Sequence, residues 1–362
     1  MNPLDLARTT PPAKNHRLSG LDSLRGLAIS LVVIFHVQLH FGVPGFVGKM
    51  ALLGYNGVQL FFIVSGITMC YMWKARREER WETGKFLIRR LCRIAPPFWF
   101  AIVFYMLWRE LGISNLEPAQ ASDVVLTALL LHGFSEHAIN LVVPGGWSIA
   151  AEVGFYVLFP LMVSRLTRSS HRLWAALAIY IACTAGAFVL GHRFGVDDTV
   201  VYYSLLTQLP IFVLAMALFE ILFASAKLPV ATMVAVAASW TLVALAGRHL
   251  GWPTRAGLWA EVAVMLLFTA AVLRRVEWRP LAFLGRISFS AYLFHFAVID
   301  VLALWLPSSR SLVGFGVGLA ATAVGTIAVA WLSSRTLEAW AIALGRALVA
   351  RLDATSRAKA TA

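Results

Sequence analysis

An arginine and a histidine, Arg25 and His36, stand inside one apolar stretch, LDSLRGLAISLVVIFHVQLH (Leu21–His40). They are eleven positions apart. On an α-helix this spacing puts them within ~20° of one face and ~16 Å apart along the axis. A guanidinium offers a planar fork of donors for phosphate or carboxylate. A neutral imidazole can take a proton or attack a carbonyl near pH 7. A bland reading stands beside this one, with Arg25 snorkelling to the membrane surface and His36 a satisfied core histidine. Both readings require the pair to face protein or a water-filled cavity, because a charge exposed to lipid is costly.

Further polar groups fall in otherwise apolar surroundings. RRLCRIAPP (Arg89–Pro97) puts Arg89 and Arg93 on one helical face with Arg90 beside them, and Pro96 is expected to break the regular helix nearby. The cluster is either a cytoplasmic anchor or a phosphate clamp. WSIAAEVGFYVLFP (Trp147–Pro160) carries Glu152 and, four residues on, Tyr156; a carboxylate at that depth needs a partner. LGRISFSAYLFH (Leu284–His295) lines up Ser288, Tyr292 and His295 at i, i+4 and i+7. A hydroxyl bonding back to its own helix accounts for Ser288 but leaves His295 unexplained. In GVQLFFIVSG (Gly57–Gly66) the small residues, above all Gly66, suit close helix packing.

The elements that position these groups are transmembrane helices. The chain is 59% hydrophobic and 14% charged, with a mean hydropathy of +0.75, which excludes a water-soluble domain of this size. About ten spans follow from the apolar stretches: about 21–40, 57–73, 94–108, 147–164, 173–190, 201–223, 228–245, 258–273, 281–306 and 312–332. Basic loops at Lys74–Arg93, Arg165–Arg172 and Arg274–Arg279 mark the cytoplasmic side. Both termini are therefore expected in the cytoplasm and Arg109–Gly146 outside, its apolar piece Val124–Phe134 being re-entrant or interfacial. The expected organisation is a cytoplasmic segment 1–20, an all-α polytopic membrane domain 21–334, and a cytoplasmic tail 335–362. That tail can begin as an amphipathic interfacial helix. Residues 1–20 lack the apolar core of a signal peptide.

The formal charge of +13 does not argue for nucleic acid as a partner, since the basic residues sit in loops between spans. Cys70, Cys92 and Cys183 lie in or beside apolar segments without metal-ligand spacing, so they read as core residues and no metal is expected.

Taken in order, LDSLRG with a histidine eleven residues after its arginine, GVQLFFIVSG, RRLCRIAPP, WSIAAE with its tyrosine, and SFSAYLFH resemble the integral-membrane acyltransferase 3 family. Members of that family acylate bacterial surface polysaccharides and related glycosides. The resemblance covers about Leu21 to His295. It implies a multi-pass protein of the bacterial inner membrane, with acetyl-CoA or another short acyl-CoA as cytoplasmic donor and a carbohydrate hydroxyl as acceptor. It matches Arg25 and His36 to the family's arginine–ten–histidine motif, Arg89, Arg90 and Arg93 to its basic third-helix motif, and Glu152 and Tyr156 to its fourth-helix motif. On that reading His36 and Glu152 are catalytic, and Arg25, Arg89, Arg90 and Arg93 hold the donor. Tyr156, Ser288, Tyr292 and His295 contact substrate, and His295 competes with His36 as base. Phe289 departs from the tyrosine common in relatives. A transporter or flippase of a glycolipid or polysaccharide precursor is the alternative, since buried histidine and glutamate also suit proton coupling. The acceptor, the acyl length and the oligomeric state stay open.

Overall fold

The computed structural model describes residues 19–76, 82–113, 116–166, 169–223, 265–266, 268–269, 278–306 and 310–361. Every regular element among them is helical. Among the described residues, seven helical stretches are long and apolar enough to cross a membrane. The fifth expected span falls on a further 26-residue helix, Ser169–Phe194. The expected spans 228–245 and 258–273 lie outside the described residues, apart from 265–266 and 268–269.

The first span is α1 (Ser19–Phe41). The connection between the first two expected spans is itself helical, as α2 (Gly45–Leu52) and a 3₁₀ turn, Leu53–Asn56. This leads into α3 (Gly57–Lys74). Small residues let these elements approach α1 through backbone contact: a Cβ on Gly54 would lie 2.3 Å from the Leu31 carbonyl oxygen, and one on Gly57 2.5 Å from that of Ala28.

α4 (Glu82–Glu110) is longer than the expected span and runs unbroken through Pro96 and Pro97, against the expectation that Pro96 ends regular helix. The prolines leave the carbonyls of Cys92 and Arg93 without their i+4 donors, which membrane helices tolerate where protein or a cavity meets the freed groups. Arg93 and Ile94 indeed line a cavity.

The segment after α4 folds as α5 (Ala121–Ala128), a 3₁₀ turn at His132–Phe134 and a series of turns. Among its described residues the segment has no helix long enough to span. It leaves Val125, Leu129 and Phe134 exposed, as an interfacial element would.

α6 (Gly146–Arg165) carries Glu152, and α7 (Ser169–Phe194) precedes α8 (Asp198–Tyr203) and α9 (Leu205–Phe223). Gly66 of α3 meets α9 closely: a Cβ there would lie 2.8 Å from that of Ala215, as expected for a packing glycine. Arg172, expected as part of a basic surface loop, is buried instead. It pairs with Glu220 at 2.8 Å and so ties α7 to α9.

The expected ninth span divides into α10 (Arg279–Arg286) and α11 (Ser288–Trp305) at Ile287. α12 (Leu312–Ser333) passes through a π-helical turn, Ser334–Glu338, into α13 (Ala339–Thr361). The segment 335–361 is thus one helical run with the span before it. The Lys85–Asp353 ion pair at 2.5 Å fastens α13 to α4.

Candidate active site

Arg25 is placed by a reciprocal glycine contact. A Cβ on the neighbouring Gly26 would lie 1.9 Å from the Leu281 carbonyl oxygen, and one on Gly285 1.8 Å from that of Asp22. α1 and α10 therefore cross backbone to backbone. This holds Arg25 at a cavity lined also by Arg90, Arg93, Glu152, Tyr156, Ser148, Ser288, Phe289 and Tyr292. Five helices or helix starts thus bring together residues up to 267 positions apart in sequence (25 to 292). The free space, about 60 Å³, has room for several water molecules.

Within this cavity Glu152 is held by hydroxyls. Its Oε1 accepts from Ser65 Oγ at 2.5 Å and from the Tyr156 hydroxyl. Arg90 is buried, its guanidinium 5.9 Å from the Phe86 ring centre and 5.8 Å from that of Tyr156, so aromatic faces share its charge. Three arginines face one carboxylate across the cavity, which leaves an excess of positive charge suited to an anion. Arg25 and Arg93 make no hydrogen bond among the described residues, so both guanidinium forks keep donors for a ligand.

The start of α6 is fixed by the loop before it. Gly145 adopts φ 77°, which favours glycine. Its N–H donates to Asn140 Oδ1 at 2.8 Å, and its carbonyl accepts from the Tyr292 hydroxyl at 2.9 Å. Ser148 Oγ lies 2.7 Å from that same hydroxyl. The phenol of Tyr292 is therefore committed to positioning α6. Ser288 Oγ donates to its own helix turn at Gly285, 2.9 Å away, as its bland reading anticipated, although the residue does line the cavity. Nearby His132 is buried, stacked on Phe98 at 5.5 Å, with Nε2 3.0 Å from the Gly146 carbonyl.

His36 and His295 prove to be one unit. His295 is fully buried, with Nδ1 2.8 Å from the Tyr292 carbonyl and 3.2 Å from that of Ala291. Carbonyl oxygens only accept, so in the neutral ring the proton is assigned to Nδ1, and Nε2 carries a lone pair. That Nε2 lies 3.2 Å from Nδ1 of His36, which also faces the Val32 carbonyl at 2.9 Å. By the same reasoning His36 is protonated at Nδ1, and its Nε2 is the bare nitrogen of the pair. This atom has no hydrogen-bond partner among the described residues, and His36 is only partly buried. Tyr292 joins the pair to the cavity, since its ring lines the cavity wall and stands 5.8 Å from that of His295. Glu152 does not orient His36, because Val32 and His295 occupy that role.

A second, outer cavity of about 490 Å³ adjoins the first through shared Arg90 and Arg93. Arg89 lines only the outer one, with Arg76, Glu82 and Arg346. The i, i+4 spacing of Arg89 and Arg93 did place both on one cavity wall. Ser65 as a partner of Glu152 and Arg346 at the outer cavity were not singled out from sequence: a lone serine reads as packing and a tail arginine as surface charge.

Residues 18–335 match the family model of an acyltransferase domain, acyltransferase 3. The chain is 30% identical over 306 residues to BcsY of Komagataeibacter xylinus, named as a candidate membrane-bound transacylase, covering 80% of this chain and 74% of that protein. It is 24% identical to YrhL of Bacillus subtilis, named as a candidate peptidoglycan O-acetyltransferase, over 79% of this chain and 49% of YrhL. It is likewise 24% identical to the O-acetyltransferase OatA of Staphylococcus aureus, over 83% of this chain and 53% of OatA. The chain thus spans about half the length of the latter two relatives. No solved structure matches it.

Proposed function

The chain belongs to the acyltransferase 3 family, and from that premise we propose that it is a membrane O-acyltransferase moving a short acyl group, acetyl foremost, from cytoplasmic acyl-CoA to a carbohydrate hydroxyl. The acceptor class is a surface polysaccharide or glycolipid. The names of OatA and YrhL support O-acetylation as the reaction. The observation that carries the reading is the His36–His295 pair, with a bare Nε2 on His36, beside a cavity walled by Arg25, Arg90 and Arg93.

In this reading His36 Nε2 takes the proton of the acceptor hydroxyl as its oxygen attacks the thioester carbonyl. The carbon–sulfur bond then breaks, and the departing sulfur recovers a proton from the imidazolium. While His36 is charged, its Nδ1–H points at two acceptors, the Val32 carbonyl and His295 Nε2, which stabilise the cation without rearrangement. His295, anchored on the Tyr292 carbonyl, is a positioning residue. Glu152 balances the arginine charge and, with Tyr156, shapes the acceptor side.

The donor's phosphates fit the outer cavity and its arginines, with the slender arm directed inward past Arg90 and Arg93. The basic residues between Lys74 and Arg93 support a cytoplasmic mouth, with both termini on the same side. The inner free space, about 60 Å³, is small for the arm, so side chains must part to admit it.

The test is thiol release. Purified full-length protein in detergent should free coenzyme A from acetyl-CoA in an acceptor-dependent way, and surface glycans of a deletion strain should lose acetyl mass. Well-folded protein that releases no thiol but moves a labelled glycolipid between leaflets would establish the transporter reading instead.

A further inference from the structure

We propose that Arg346 of α13 binds the outermost phosphate of the donor, the 3′-phosphate on the adenosine of coenzyme A. This rests on the donor reading above and extends it to a helix beyond the residues 18–335 that match the family.

α13 is fixed against the arginine-bearing helix. Glu338, at its head, is buried and accepts from the Ser290 backbone N–H at 3.1 Å and from the Ser290 hydroxyl. At Gly345 a Cβ would lie 3.0 Å from the Cβ of Cys92 and 3.8 Å from the Cα of Arg89, so the two backbones nearly touch. Further along, buried Lys85 pairs with Asp353 at 2.5 Å. These attachments on α11 and α4 leave α13 little freedom to turn.

Arg346 follows Gly345 and lines the outer cavity of about 490 Å³. Five arginines line that space (Arg76, Arg89, Arg90, Arg93 and Arg346), together with Glu82. A wall this rich in guanidinium groups suits an anionic ligand. Arg346 has no ion pair or hydrogen bond among the described residues.

The order of the arginines assigns the phosphate. Arg90 and Arg93 also line the inner cavity, whereas Arg346 lines only the outer one and is exposed. In coenzyme A the arm is joined to the diphosphate, and the ribose with its 3′-phosphate lies beyond. With the arm inward, the diphosphate meets Arg90 and Arg93, and the 3′-phosphate reaches the rim where Arg346 stands.

The experiment compares coenzyme A with dephospho-coenzyme A, which lacks only the 3′-phosphate, in binding to full-length protein. Wild type should prefer coenzyme A. Arg346→Ala should lose roughly threefold to tenfold in coenzyme A affinity with no change for the dephospho form. Arg346→Lys should keep part of the preference. Gly345→Leu, which pushes α13 from α4, should show the same selective loss with the arginine intact. Arg93→Ala should weaken both ligands. An Arg346→Ala protein that keeps the wild-type preference overturns the inference while leaving the donor reading standing. Unchanged preference with loss of co-purified anionic lipid would also overturn it, giving Arg346 to a lipid headgroup. Wild-type protein that binds neither ligand overturns the donor reading itself.

Discussion

Nε2 of His295 lies 3.2 Å from Nδ1 of His36, across 259 positions of sequence. Two imidazoles that compete as candidates in the sequence are thus partners in the fold, and their carbonyl contacts give them unequal roles. His36→Ala should lower turnover by about two to four powers of ten while leaving coenzyme A binding intact. His295→Ala should cost less and should shift the pH–rate profile, because His36 loses an acceptor for its Nδ1–H. Steady-state kinetics with both variants decide this. Near-normal turnover in His36→Ala, with turnover abolished in His295→Ala, would reverse the assignment. An acyl adduct on His36 detected by mass spectrometry would replace direct transfer with a two-step route.

Arg25 and Arg93 face one cavity with free donor forks, whereas Arg90 is packed between Phe86 and Tyr156. Alanine at Arg25 or Arg93 should therefore weaken donor binding, and lysine should restore it only in part, since a point charge cannot donate two parallel bonds. Arg90→Ala should additionally lower stability, because it empties an aromatic slot. Calorimetric binding of coenzyme A together with thermal unfolding in detergent separates the two effects. Unchanged affinity in well-folded Arg25→Ala and Arg93→Ala proteins would reduce these arginines to topology signals.

The candidate site was legible in sequence where one helix carried the pattern. Arg25 and His36 share a helix, as do Arg89 and Arg93, and Glu152 and Tyr156, so spacing alone put them on common faces. What joins helices was not legible. That Ser65 serves Glu152, or that Tyr292 bonds the Gly145 carbonyl, depends on contacts over 87 and 147 positions, which no local period encodes. The helix through Pro96 and Pro97 shows the same limit in reverse. Local propensity argued for a break, and the surrounding helices and cavity allowed the backbone to continue. Arg172 read as a topology marker because its partner Glu220 lies on another helix.

His132 ties the segment between α5 and α6 to the start of α6, and burial holds its imidazole below the ordinary histidine range against the pull of the Gly146 carbonyl. A depressed folded-state value means that the unfolded chain binds the proton more readily. Stability conferred by neutral His132 is thus complete above the unfolded value of about 6.5 and is lost as pH falls from there through the lower folded value. Thermal unfolding should show lower stability at pH 5 than at pH 7, and His132→Gln, which keeps a donor for the carbonyl but cannot titrate, should flatten that slope. An unaltered slope would assign the acid sensitivity to other groups.

The topology proposed from the basic loops can be checked at two exposed positions. Glu136 lies in the segment between α5 and α6, and Lys74 ends α3. In a background without native cysteines, Glu136→Cys should react with an impermeant thiol reagent applied outside intact cells, and Lys74→Cys should react only after the membrane is opened. The opposite pattern would invert the protein and put the arginine mouth on the wrong side for a cytoplasmic donor.

The reciprocal contact of Gly26 with Leu281 and Gly285 with Asp22 makes a prediction about stability and function together. At 1.9 and 1.8 Å from a carbonyl oxygen, an added Cβ is far inside van der Waals contact, and the obstacle on each side is backbone. Neither helix can yield by a side-chain rotation, so α1 and α10 must separate. Gly26→Ala or Gly285→Ala should each cost about 1–3 kcal/mol or more, as overpacking does in tight cores. The double variant should cost less than the sum, because the first separation relieves the second clash. Arg25 adjoins Gly26, so the displaced helix should also weaken coenzyme A binding in protein that still folds. Thermal unfolding in detergent and ligand affinity measured on the same preparations test both halves. Wild-type stability in both single variants would show that the helices do not cross this closely.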